Sequence, residues 1–463
     1  MMAKPTGKTT PGCLLAKQAM LGAGWAQNVL LEWDNAGKLT RITPNHQAKN
    51  GQQSVDILLP GMANLHCHSF QRAMSGLAET AQSDSDSFWS WRELMYRFVQ
   101  HLGPDDIEAI AAFAYMEMLE SGFTSVGEFH YLHHQPDGTP YDNPAELANR
   151  IMAGARATDI ALTLLPVFYA HSDFGGAAPT PAQARFVHTL DSYHNLLQHC
   201  RQNNPDVVIG IAPHSLRAVT PGQLTHLLAA NPDGPVHIHV AEQIAEVIAS
   251  QKHLGARPVH WLLQNFAVDQ RWCLVHATHM DKQEIRGFAG SGAVAGLCPL
   301  TEANLGDGIF DGVGFLAAGG KIGIGSDSCV RIDVAEELRW LEYTQRLRDQ
   351  KRLRLAPAGR SVGAALYRQT ARSGAVALGQ AAGDIMLGTA ASFVTLNANH
   401  PALLGRKHDA LLDGWVFGSG ASVVEQVWVK GKQVVADGKH IQHDLISNQY
   451  QQTLRSVLPR IEA

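Results

Sequence analysis

Between residues 60 and 384, short apolar runs alternate with amphipathic stretches of 10 to 20 residues, and this alternation limits the possible folds more than any other feature of the chain. Parallel strands buried on both faces read as continuous apolar runs, and the helices between them must cover the sheet, so the pattern is that of repeated βα units. Candidate strands fall at 63–66, 124–128, 161–167, 207–211, 236–240, 272–276, 293–296 and 322–325. Eight such units close a TIM-type (β/α)8 barrel. The segments at 105–121 and 334–348 place apolar residues at helical spacing, with Glu and Arg opposite, as covering helices require.

Outside this region the pattern changes. Residues 28–33 and 56–59 near one end, and 392–396, 425–429 and 433–435 near the other, are strand-like and separated by Gly, Asn and Pro turns, with Lys430-Gly431 between the last two. Strand-forming segments at both ends predict one small accessory β-sandwich built from both, with domains at 1–59, 60–384 (the barrel) and 385–463.

A net charge of −5, from 37 basic and 42 acidic residues, excludes a basic nucleic-acid surface and a polybasic membrane patch. No 18-residue uncharged apolar run could span a bilayer, and the stretch after Lys4 and Lys8 is broken by Lys17 without a small-residue cleavage site. The six cysteines are scattered with no C-x-x-C pair, which suits a reducing compartment. The expectation is a cytoplasmic protein acting on a small molecule, with neither nucleic acid nor membrane as partner.

Barrel enzymes place their chemistry at the C-terminal ends of the strands. His66 and His68 end the first candidate strand, and alternation directs both rings into the barrel mouth while Cys67 points to the helices. One H-x-H among 23 histidines means little. Four further candidate strands end on His214, on His239 with Glu242, on His276 and on Asp327, so five strand ends offer metal-ligating or proton-transferring groups to one cavity. His237 shares a strand face with His239, which lies nearer the strand's end. Two other signals carry less. His130, His133 and His134 cluster in a loop, and Gly359-Arg-Ser-Val-Gly363 fits G-x-S-x-G but has no strand before it, so Ser361 is expected to be a helix N-cap.

Together these features resemble the amidohydrolase superfamily, through Pro60-Gly61, His66-x-His68, the later strand-end histidines and Gly-x-Ser-Asp327. Within it, Leu59-Pro-Gly-Met-Ala-Asn-Leu-His-Cys-His-Ser-Phe-Gln-Arg-Ala-Met-Ser-Gly-Leu-Ala-Glu79 and Cys298-Pro-Leu-Thr-Glu-Ala-Asn-Leu-Gly-Asp-Gly-Ile-Phe310 are similar to the N-formimino-L-glutamate deiminase branch. The resemblance spans nearly the whole chain and implies that His66, His68, His239 and Asp327 bind one divalent metal ion, zinc by preference. One ion is implied because His214 stands where two-metal relatives carry a bridging lysine.

The implied reaction is hydrolysis of N-formimino-L-glutamate to N-formyl-L-glutamate and ammonia in histidine degradation. Asp327 would take a proton from the attacking water, Glu242 would shuttle protons to the leaving ammonia, and His276 would stabilise developing charge. The substrate's two carboxylates would meet Arg92 and Arg217, with Gln71, Tyr131 and His214 around the formimino end; whether Arg72 or Arg331 also reaches the mouth is left open by the sequence. A related aminohydrolase of a purine, pterin or triazine ring is the alternative, for which fewer cations and more stacking are expected. A non-catalytic scaffold would be free to lose ligands, and this chain retains the set. A homodimer is implied by likeness alone.

Overall fold

The computed structural model describes residues 11–80 and 87–462, so the Lys4 and Lys8 stretch lies outside the described residues. Eight parallel strand positions form the central sheet: Met62–Cys67, Phe123–His130, Ala161–Phe168, a split fourth (Val208–Ile209 and Ala212–Pro213), Val236–Val240, Trp272–His276, Val294–Leu297 and Lys321–Ile324. The eighth pairs with the first, Ile324 facing Asn64. Covering helices lie where the periodicity places them, as in Pro104–Ser121 and Val334–Asp349.

The fourth strand is expected to run unbroken over 207–211, and instead forms two short pieces. Pro213 has no N–H to give a ladder, and a side chain at Gly210 would lie 2.7 Å from both the Leu165 side chain and the Pro235 carbonyl, so the backbones approach closely here. Individual bonds close the barrel at this seam. Ile211 N donates to Pro235 O at 3.0 Å, His237 N to Ile211 O at 3.1 Å and His239 N to His214 O at 3.1 Å. Inside the barrel Ala63, Leu65, Cys273, Val275 and Val294 pack in a cluster of their own, with Ala377 and Leu378 as its floor.

The chain ends form one eight-stranded sheet. Gly12–Leu21, Gly24–Trp33, Leu39–Thr43 and Ser54–Pro60 come from one end, and Phe393–Leu396, Val424–Val429, Lys432–Ala436 and Lys439–His440 from the other. They join where Phe393 faces Pro60 and Leu396 faces Ile57. Lys430 and Gly431 both have positive φ, 48° and 78°, as a two-residue hairpin turn of this hand requires. Strand Ser54–Pro60 passes through Gly61 directly into the first barrel strand, and a Cβ at Gly61 would strike Thr124 Oγ1 at 2.1 Å. The accessory sheet thereby anchors the strand that carries His66 and His68.

The loop histidines are structural. His133 Nε2 bonds to the Val167 carbonyl at 3.0 Å, His134 Nε2 to that of Val187 at 2.8 Å, and His188 Nδ1 to Ser192 Oγ at 2.9 Å. Burial pushes His130 and His188 from 6.5 down to about 3, and lowers His133 and His134 as well. These rings stay neutral in the native state while the unfolded chain takes up protons below 6.5. Their contribution to stability is therefore full above that pH and is lost progressively as pH falls toward about 3. Between pH 8 and pH 5 His130 and His188 each cost about 2 kcal/mol. His188→Asn is accordingly expected to lose less Tm than wild type between pH 8 and pH 5, as read by thermal denaturation; equal losses would refute this.

Candidate active site

At the C-terminal mouth of the barrel, strand ends deliver side chains from every direction. The ladder between the first and second strands slips between Asn64 and Cys67, so Leu65 packs in the interior cluster while His66 and His68 both turn to the mouth. Cys67 faces away, its Sγ 3.4 Å from that of Cys329. His66 Nε2 lies 3.2 Å from His68 Nε2 and 3.0 Å from His239 Nε2. Asp327 Oδ1 is 3.5 Å from the first and 3.3 Å from the second.

Donor atoms about 2.0–2.1 Å from one tetrahedral ion stand about 3.3 Å from each other, and the four separations just given, 3.0–3.5 Å, match that spacing. The second nitrogens support the same reading. His68 Nδ1 donates to the Phe129 carbonyl at 2.9 Å and His239 Nδ1 to that of His214 at 3.2 Å, so their Nε2 lone pairs point at one another. Burial lowers the pKa of His66, His68 and His239, keeping them neutral as ligands must be. Neutral imidazoles with converging lone pairs beside a carboxylate fit a divalent cation. The ligand strands are also tied together: Asp327 N donates to His66 O at 3.0 Å, His68 N to Asp327 O at 2.9 Å, and Asn64 Nδ2 to Ser326 Oγ at 2.7 Å. His237 faces the floor, its Nε2 2.8 Å from the Ala377 carbonyl.

Beside this group, His276 Nε2 lies 3.7 Å from Glu242 Oε1 and 3.7 Å from Asp327 Oδ2. Burial raises the pKa of Glu242 to about 7, with Asp327 adding to the shift and His276 opposing it. Burial also disfavours charge on His276, but Glu242, Glu302 and Asp327 outweigh it and raise the ring to about 10. Glu242 does not cap the helix that follows, Ile244–Leu254, whose N-cap is Gln243. Backbone strain gathers here: Ala241, His276, Ala277, Asp327 and Cys329 all hold positive φ, between 44° and 64°, a conformation that non-glycine residues keep only where surrounding structure enforces it.

The cavity above is lined by His68, Gln71, Arg92, Tyr131, His214, Arg217, His239, Glu242, His276 and Asp327. Of the eleven residues expected at the site only His66 is missing from that wall, because it is fully buried beneath. Helix Phe88–Val99, begun by the Ser87 cap, brings Arg92 over the rings of Trp89 and Tyr96, at 4.4 and 5.6 Å. Among the described residues neither Arg92 nor Arg217 has a carboxylate within 4.0 Å, and Arg217 Nε is buried without a partner. Gln71 Nε2 donates to the Tyr131 hydroxyl at 2.6 Å. Arg72 and Arg331 do not line the cavity; they pair with Glu117 at 3.0 Å and Glu336 at 2.9 Å.

Sequence reasoning missed several neighbours. Phe88, Trp91, Met95, Tyr96, Tyr169 and Phe186 supply an apolar wall, for which the aromatic density around Arg92 was the available signal. Buried Arg185 donates to the carbonyls of Leu102, Val99 and His134, fastening the end of the Arg92 helix to the loop after the second strand. Glu302 and Asp307, from the segment after the seventh strand, complete the acidic side. Ser361 is a helix N-cap, accepting from Ala364 N at 3.0 Å.

A barrel with this mouth is shared by a family of metal-dependent hydrolases, and residues 57–434 match the amidohydrolase family, to which this chain therefore belongs. It is a hydrolase. It is 50% identical over 449 residues, 96% of this chain and 99% of the relative, to a formimidoylglutamate deiminase of Pseudomonas aeruginosa. An 8-oxoguanine deaminase of the same species is 28% identical over 303 residues, 64% of this chain and 65% of the relative. Among solved structures, an amidohydrolase from Brucella melitensis superposes with a TM-score of 0.92 at 46% identity, covering 96% and 99% of the two chains. Among the described residues no helix is long and apolar enough to cross a membrane.

Proposed function

We propose that this protein hydrolyses N-formimino-L-glutamate to N-formyl-L-glutamate and ammonia, as a step of histidine degradation. The observation that carries the reading is the pairing of two cations lacking carboxylate partners, Arg92 and Arg217, with a converging His66, His68, His239 and Asp327 set across one cavity. A dicarboxylate with a planar C–N centre has the matching chemistry. The reading includes one ion, zinc, and a homodimer as assembled form, both resting on family likeness, and the cytoplasm as compartment, which rests on the scattered cysteines.

The three histidines and Asp327 would hold the ion, which supplies Lewis acidity that makes a water nucleophilic near neutral pH. Asp327 accepts the proton of that water as its oxygen attacks the formimino carbon. Glu242, with a pKa near that of a neutral solution, takes the proton of the hydroxyl added to the carbon and passes it to the formimino nitrogen, so the C–N bond breaks with release of ammonia as the formyl C=O forms. His276 donates from Nε2 toward the oxygen added to the tetrahedral carbon, where negative charge develops. Arg92, held flat on Trp89, and Arg217 grip the carboxylates, while Gln71, Tyr131 and His214 orient the formimino group.

The test is ammonia release by the purified, zinc-loaded protein from formimino-glutamate, guanine and cytosine, together with its metal content. Turnover of guanine without turnover of formimino-glutamate would sink the proposal. Arg217→Lys replaces a two-pronged donor by a point charge, and loss of a charge-assisted bond of about 1.5–3 kcal/mol should raise KM about 10- to 150-fold with kcat much less affected. An unchanged KM would remove Arg217 from the substrate site.

A further inference from the structure

The imidazole of His276 is enclosed by acids on both sides. While Nε2 faces Glu242 and Asp327, Nδ1 lies 3.3 Å from Oε1 of Glu302. Glu302 belongs to helix Pro299–Leu305, just after the seventh strand, and is 6% exposed. Its Oε1 also accepts the Cys298 N–H at 2.9 Å, which pins the carboxylate to the end of that strand. The segment is clamped again further on. Asp307 N donates to Glu302 O at 2.9 Å, and the Asp307 carboxylate accepts from Gln243, the neighbour of Glu242. His276 itself has φ of 64°, outside the strand region, so regular alternation does not set its ring direction.

We propose that Glu302 is a positioning residue of the reaction: it accepts the Nδ1 proton of His276 and holds the ring with Nε2 directed at Glu242, Asp327 and the reacting carbon. An ionised carboxylate can only accept, so the proton stays on Nδ1 whichever state Nε2 adopts. Without that charged acceptor the ring is held less firmly and no longer presents Nε2 in a fixed direction. The inference rests on the deiminase reading for its reaction, but the contact itself can be tested without substrate.

Glu302→Gln is isosteric and still offers an oxygen to Cys298 N–H, but carries no charge. In the zinc-loaded full chain, kcat for ammonia release is expected to fall about 10- to 100-fold, with KM within about two-fold of wild type and metal content unchanged. Glu302→Asp, which restores the charge, should recover part of the loss. In protein labelled with 15N-histidine, the His276 signal, identified by its disappearance in His276→Asn, should show a proton on Nδ1 in the wild type. Wild-type kcat in Glu302→Gln overturns the proposal, and so does a bare Nδ1 in the wild type, a measurement that needs neither a variant nor turnover. A protonated Nδ1 in a protein that does not turn over formimino-glutamate would instead refute the substrate assignment and leave the Glu302 contact standing.

Discussion

His239→Ala is expected to abolish both bound metal and ammonia release. Four-ligand zinc sites hold their ion with about 10–16 kcal/mol in all, hence about 2.5–4 kcal/mol per ligand, so one lost imidazole weakens binding about 60- to 700-fold. The His239 ring is also the one whose Nε2 stands 3.0 Å from that of His66, and no other side chain on its strand reaches the mouth. His237→Ala is the matched control. Its ring bonds to the Ala377 carbonyl at the barrel floor, so the variant should keep its metal and lose about 1–3 kcal/mol of stability. Elemental analysis after dialysis reads both variants. Metal retained in His239→Ala and lost in His237→Ala would reverse the ligand assignment.

Glu242→Gln should leave metal content intact and lower kcat about 10²- to 10⁴-fold, the range of a positioned proton-transfer group. The carboxyl is buried, lies 3.7 Å from His276 Nε2 and titrates near 7, so it can both take and return a proton at neutral pH. Glutamine preserves shape and hydrogen bonding but does neither. Steady-state ammonia release, with metal measured on the same sample, separates this outcome from loss of the ion. An unchanged kcat would show that another group moves the proton, and Asp307, buried beside Glu242, would be the next to replace.

His239 and Glu242 stand at a strand end and just beyond it, where barrel chemistry gathers, so their placement follows from local pattern. Arg92 and Arg217 are different: their types were legible, but the absence of any carboxylate within 4.0 Å among the described residues is a property of the assembled surface. Glu302 carries no signal of its role in the sequence, because its partner His276 is 26 residues away and the contact exists only once strands and loops converge. The split fourth strand was hidden for a similar reason, since Gly210 meets Leu165 and Pro235 from neighbouring strands.

By itself the sequence determined the eight βα units, the pairing of both chain ends into one sheet and the strand ends on which His66, His68, His239, His276 and Asp327 stand. These are encoded locally, by apolar runs, turn residues and polar groups at the limits of strands. Only the tertiary structure decided which nitrogens point at each other, that Arg72 and Arg331 are spent on Glu117 and Glu336, and that Glu302 stands behind His276. The physical reason is that hydrogen bonds and ion pairs between residues distant along the chain depend on barrel closure and on a local slip such as that between Asn64 and Cys67, neither of which hydrophobic periodicity records.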